Sequence, residues 1–217
     1  MTERSGVLPP PTRRVHRALL DGFIATGEVP AEEAWARAAD VPVRDLPVRL
    51  AELAEGDYVG LDATGRLTCL YPFSAVATPH VVVLGAGRRW AMCSIDALGV
   101  AAMIGRPVTV EGRCALCGSP IRLAVSPGTV TEAEPSEAVV VARRSGDEPA
   151  GETCCPFTLF ACSPAHGEAI AARSDQTTVA PLAEALQHAE SIFGGFLGET
   201  LPAQRPRSRQ TTVDLRT

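Results

Sequence analysis

VVVLGAGRRWAMCSIDALGVAAMI, residues 81–104, decides how the rest of the chain is read. Two β-rich runs, 81–84 and 89–92, flank Gly85-Ala86-Gly87, and the apolar stretch 94–104 that follows has helical character. Outward from this block, similar short runs recur at 108–110, 121–125, 138–142 and 157–161, in a stretch broken by Gly and Pro. Helical patterns sit between them, after Ser163-Pro164 and again over 181–193. Strands without long helical crossovers favour antiparallel pairing, so the expected class is α+β, a mostly antiparallel sheet domain with flanking helices.

The texture upstream is different. Residues 15–26 carry Leu19, Leu20, Phe23 and Ile24 on one stripe, 31–39 carry Trp35, and 46–55 carry Leu46, Leu50 and Leu53. Asp45 precedes Leu46-Pro47 as an expected N-cap. Two β-like runs around Ala63-Thr64-Gly65 then read as a hairpin, and three helices with a hairpin form a winged-helix-like unit. Such a unit suggests DNA binding, but residues 1–70 hold eight Arg against eleven acids, and phosphate contacts need clustered cations. The expected organisation is a flexible arm over 1–14 ending in Pro9-Pro10-Pro11, the winged-helix-like domain over 15–70, a catalytic domain over 71–203 and a disordered tail over 204–217.

Bulk properties exclude several classes. With 217 residues, 46% of them hydrophobic, the chain has material for a sizeable core, and a net charge of −5 gives no basic field for nucleic acid or anionic lipid. No apolar run approaches the ~20 residues of a membrane helix, and MTERSGVLPPPTRR lacks the apolar stretch of an export signal. The expectation is a cytoplasmic protein that binds neither nucleic acid nor membrane. Seven cysteines then read as thiols for chemistry or metal rather than as a disulfide framework.

Cys69 and Cys162 lie in apparent strand interiors and read as small buried hydrophobes. Cys93 stands where a strand ends and a helix begins, a place where amide groups and the helix dipole favour thiolate, and Asp96 is three residues further on. That pair is either a nucleophile with a proton carrier or a buried thiol followed by an acid in a first helical turn. Cys114-x-x-Cys117 resembles half of a zinc knuckle. A second Cys-x-x-Cys is absent, and one tetrahedral centre can rarely take both of the adjacent Cys154 and Cys155, on opposite faces of a strand, so no resident zinc is expected. The four histidines are scattered, and neither a phosphate loop nor a nucleophile elbow is present. What remains is thiols with a carboxylate, a set suited to a soft metal.

Trp90 to Leu98 with Ile104-Gly105-Arg106, Arg113-Cys114-Ala115 through Gly118-Ser119-Pro120 to Val125-Ser126-Pro127, and Cys154-Cys155 leading to Phe160-Ala161 together resemble the organomercurial (alkylmercury) lyases. The resemblance spans about residues 15–197. It implies cleavage of a carbon–mercury bond by protonolysis, giving hydrocarbon and Hg(II) in mercury detoxification. By the same resemblance Cys93 and Cys154 hold the mercury, Asp96 delivers the proton and also contacts the metal, and Cys114 is structural. No built-in cofactor is implied; an external low-molecular-weight thiol releases the product, with hand-off of Hg(II) to a mercuric reductase. Cys117 stands where the family carries a non-thiol residue, Met92 where it carries an aromatic, and Pro156 follows the cysteine pair. The rival readings are a non-catalytic soft-metal binder or sensor built from the same thiols, and a winged-helix transcription factor.

Overall fold

The computed structural model describes residues 8–144 and 149–197. Helices α1 (Pro10–Thr26), α2 (Glu32–Ala39) and α3 (Leu46–Glu55) come first, followed by strands β1 (Val59–Leu61), β2 (Leu67–Leu70), β3 (Phe73–Ser74), β4 (Val81–Leu84) and β5 (Gly87–Ala91). Helix α4 (Ser94–Ile104) leads into β6 (Val108–Arg113), β7 (Pro120–Ser126), β8 (Thr129–Glu134) and β9 (Val139–Arg143). The last part holds α5 (Ala150–Thr153), β10 (Leu159–Ala161), α6 (Pro164–Ala171), β11 (Thr177–Pro181) and α7 (Leu182–Phe193).

Eight strands form one antiparallel sheet in the order β1-β2-β3-β5-β4-β6-β7-β8, and β10-β9-β11 form a second. The mixed helix and antiparallel-sheet class therefore matches the expectation. Helix α4 is the pivot: it is apolar all round, buried from Ser94 to Ala101, and packs on both sheets and on α7. A helix apolar on every face has to be surrounded. Gly99 permits the closest part of that packing, since a Cβ there would lie 2.3 Å from the Phe193 ring.

The sheet does not respect the expected boundary at residues 70 and 71, because β2 pairs with β3 and carries the β1–β2 hairpin into the large sheet. Arg89 on β5 ties the helices to that sheet. Its guanidinium is buried and donates to the carbonyls of Phe23 (3.0 Å), Ile24 (2.7 Å) and Ala25 (2.9 Å) at the C-terminal end of α1. Carbonyls at a helix end lack the amide partners of the interior, although that of Phe23 also accepts the Gly27 amide at 2.7 Å, and a cation suits the dipole there.

Three local expectations are corrected. The proline run does not stay outside the helix: α1 begins at Pro10, and Thr12 is already buried, because the first-turn N–H groups that proline lacks have no helical partner anyway. Asp45 occupies the N-cap position of α3 without capping it through its side chain, and its carboxylate faces Arg44 instead. Residues 155–157 form a 3-10 turn rather than the start of a strand. The expected tail over 204–217 lies outside the described residues.

Candidate functional site

Cys93 follows β5 and occupies the N-cap of α4, with extended backbone and a sulfur that accepts the amide hydrogen of Asp96 at 3.4 Å. One turn of helix therefore sets Asp96 beside the thiol, as the three-residue spacing predicts. The Ser94 amide donates to the Thr158 carbonyl at 3.2 Å, which ties this helix start to the segment leading into β10. The Ser94 hydroxyl is fully buried and has no hydrogen-bond partner among the described residues.

The third member arrives from α5. That short helix ends at Cys154, and Cys155 enters the 3-10 turn with its thiol donating to Asp96 Oδ2 at 3.5 Å. Donor atoms of Cys93, Asp96 and Cys155 all lie within 4.8 Å of one another. Cys154 faces away: its thiol donates to the Arg143 carbonyl at 3.2 Å and lies 3.6 Å from Thr158 Oγ1. The structure thus unites Cys93 with Asp96 as expected and brings Cys155, rather than Cys154, to them. Successive side chains on a helical turn diverge by about 100°, so one of two adjacent cysteines faces in and the other faces out.

Burial governs the electrostatics of the three groups, which are 3%, 4% and 5% exposed for Cys93, Asp96 and Cys155. Desolvation pushes Asp96 up to about 7, against hydrogen bonds from the two thiols that favour its charge. The helix start does not make Cys93 a resting thiolate, as its position alone suggests. Burial outweighs the amide hydrogen bond and lifts the thiol to about 12. Cys155 is raised further, first through its hydrogen bond with Cys93 and then by burial. At rest near neutral pH the site holds both thiol protons and part of a carboxyl proton.

A second cluster lies elsewhere. Cys114, Cys117, Cys162 and His166 place one donor atom each within 4.8 Å of the others, and these two groups are the metal-competent sets found among the described residues. Cys162 is therefore not the buried strand hydrophobe expected of it. It follows β10, half-buried, with its sulfur 3.7 Å from Cys117 Sγ and 3.1 Å from His166 Nδ1. Cys69 does behave as a buried thiol, on β2 and pushed up to about 12 by desolvation. A cleft of about 860 Å³ between α1 and α2, lined by residues including Arg13, Arg17, Pro30 and Trp35, has no cysteine in its lining.

Comparison with known proteins points to one family. The alkylmercury lyase (MerB) family model matches residues 73–194, which include both clusters and α4. An alkylmercury lyase of Streptomyces lividans is 30% identical over 183 residues, 83% of this chain and 83% of the relative. One from Bacillus cereus is 35% identical over 118 residues, which is 54% of this chain, and the matched part spans about half the length of that relative, 52%. The crystal structure of the mercury-bound form of MerB2 shares the fold with a TM-score of 0.73 at 20% identity, covering 88% of this chain and 93% of that one. A family match across more than half the chain, together with a relative aligned over most of its length, leads to one conclusion: the chain belongs to the alkylmercury lyase family.

Proposed function

We propose that the protein is an organomercurial lyase that breaks carbon–mercury bonds by protonolysis. The observation that carries the reading is the buried triad of Cys93, Asp96 and Cys155, two thiols and a carboxyl whose donor atoms are within 4.8 Å of one another. Thiolates are the preferred ligands of a large polarisable metal, and a carboxyl raised to about 7 retains a proton to deliver near neutral pH.

The reaction balances on these groups alone. A substrate RHgX and two protein thiols give RH, HX and a dithiolate complex of Hg(II). Cys93 forms the first sulfur–mercury bond as X departs with one proton. A second sulfur then bonds to mercury, its proton passing to the Asp96 carboxylate. Donation from two sulfurs pushes electron density onto the carbon, which takes the proton from Asp96 as the carbon–mercury electron pair leaves with it. Cys155 is in position to supply the second sulfur. Cys154, which the family resemblance names, has to give up the Arg143 carbonyl to reach the same metal. Release of the bound Hg(II) falls to external thiol, with a mercuric reductase as its recipient.

The three-helix unit with its hairpin serves in this reading as a winged-helix-like buttress for the sheet rather than as a DNA reader. The deciding experiment is incubation of the full chain with an organomercurial and excess low-molecular-weight thiol, following hydrocarbon and Hg(II) together. Equimolar appearance of both supports the lyase. Capture of the organomercurial with no hydrocarbon released makes the protein a thiol-based metal binder instead.

A further inference from the structure

We propose that Cys114, Cys117, Cys162 and His166 form a tetrahedral zinc site that clips the turn between β6 and β7 to the end of β10 and the first turn of α6. None of the four belongs to the triad, and the proposal stands whether or not the protein cleaves organomercurials.

The donor set is that of a closed structural site: three sulfurs and one imidazole, with no place left for substrate. Cys114 and Cys117 have the two-residue spacing of a zinc knuckle, and Cys162 with His166 supplies the other half across the first turn of α6. For zinc–sulfur bonds of about 2.3 Å, the edge of the coordination tetrahedron is about 3.8 Å. The separations already approach this: Cys117 Sγ to Cys162 Sγ is 3.7 Å and Cys114 Sγ to His166 Nδ1 is 3.5 Å.

The backbone around Cys114 closes a tight turn, with the Cys114 amide donating to the Ser119 carbonyl at 2.8 Å. The knuckle is closed by Gly118, whose amide bonds to the Cys114 carbonyl at 2.8 Å with φ at +75°, a conformation that disfavours other residues. His166 is fixed in turn by its amide donating to Ser163 Oγ. Three thiolates and an imidazole select a borderline-soft ion such as zinc over magnesium or calcium.

The clip has a structural purpose. The β6–β7 turn belongs to the eight-stranded sheet, whereas β10 belongs to the three-stranded one, and the Ala115 amide already bonds to the Phe160 carbonyl at 3.0 Å. An ion here joins the two sheets at the end of the strand that runs directly from the Cys155 turn.

The test is metal analysis of the full chain, purified with reductant and without any mercurial, and of four variants. About one equivalent of zinc is expected in the parent and in Cys93→Ser and Asp96→Asn, against about a tenth or less in Cys117→Ser and His166→Ala. Because Cys117 is exposed, its replacement by serine leaves the core untouched. A second readout uses parent protein stripped by chelator and given cobalt(II), which is expected to show thiolate-to-cobalt charge transfer and the visible bands of a tetrahedral centre. The proposal is overturned by parent protein that holds no zinc after reconstitution with zinc chloride, by a Cys117–Cys162 disulfide in freshly purified material, or by zinc that follows Cys93 instead.

Discussion

The Cys155 thiol donates to Asp96 Oδ2 at 3.5 Å, while its neighbour Cys154 donates to the Arg143 carbonyl on the other side of the same turn. The pair is therefore divided, one thiol to the buried triad and one to the backbone of β9. Cys155→Ser is expected to abolish single-turnover hydrocarbon release, and Cys154→Ser to retain much of it. The reverse result would show that the turn rotates when mercury binds and that Cys154 is the second ligand, as the family resemblance has it.

Asp96→Asn keeps the shape of the side chain and removes its transferable proton. Binding of the organomercurial by the thiols is expected to survive, and hydrocarbon release to fall by about 10²–10⁴, the usual worth of general acid catalysis. Measured on one folded preparation, release within about threefold of the parent would remove Asp96 from the proton path. The acid would then be a first-turn charge worth only about 0.3–1 kcal/mol to the helix.

The same carboxyl makes stability depend on pH. Its pKa in the folded chain, about 7, lies above the ordinary 3.8, so between these values the folded state holds a proton that the unfolded chain has lost. Its contribution is complete below about pH 4 and disappears as pH rises through about 7, a swing of up to about 4 kcal/mol. Asp96→Asn does not titrate, so its stability advantage over the parent in urea unfolding is expected to be larger at about pH 8 than at about pH 5. An equal gap at both values would mean that Asp96 is not desolvated.

Arg89→Met retains the apolar stem and removes the cation that satisfies three carbonyls of α1. A loss of about 2–4 kcal/mol is expected from charged hydrogen bonds broken and acceptors left buried, read as a lower urea midpoint. A midpoint unchanged from the parent would show that the helices and the sheet are held together by apolar packing alone.

Much of this was legible in the chain. The helix at 94–104, the three N-terminal helices, the hairpin and the Cys93–Asp96 pairing all follow from local periodicity and capping position, which the structure keeps. Strands β8 and β11 carry no clear strand pattern, because Thr129–Glu134 alternates Thr and Glu with small apolar residues, and Thr177–Pro181 ends in proline. At the site, the choice between Cys154 and Cys155 depends on the phase of one turn, and no periodicity reports the phase of a four-residue helix. The partners of the Cys114–Cys117 knuckle had a local signature, a cysteine and a histidine four residues apart. It was hidden because Cys162 reads as a small buried thiol inside a strand and His166 as one of four isolated histidines. The raised pKa of Cys93 was hidden for a different reason: helix position shows in sequence, whereas the burial that overrides it comes from two sheets assembled around α4.

The burial of the triad has one more consequence, for charge balance over a reaction cycle. Two thiols and a carboxyl enclosed in apolar surroundings act as an ion exchanger that must stay close to neutral. An organomercury cation carries one positive charge and displaces one proton, whereas bare Hg(II) carries two and displaces two. In the proposed reaction each step then swaps like charge for like charge, with protons as the counterions the pocket already contains.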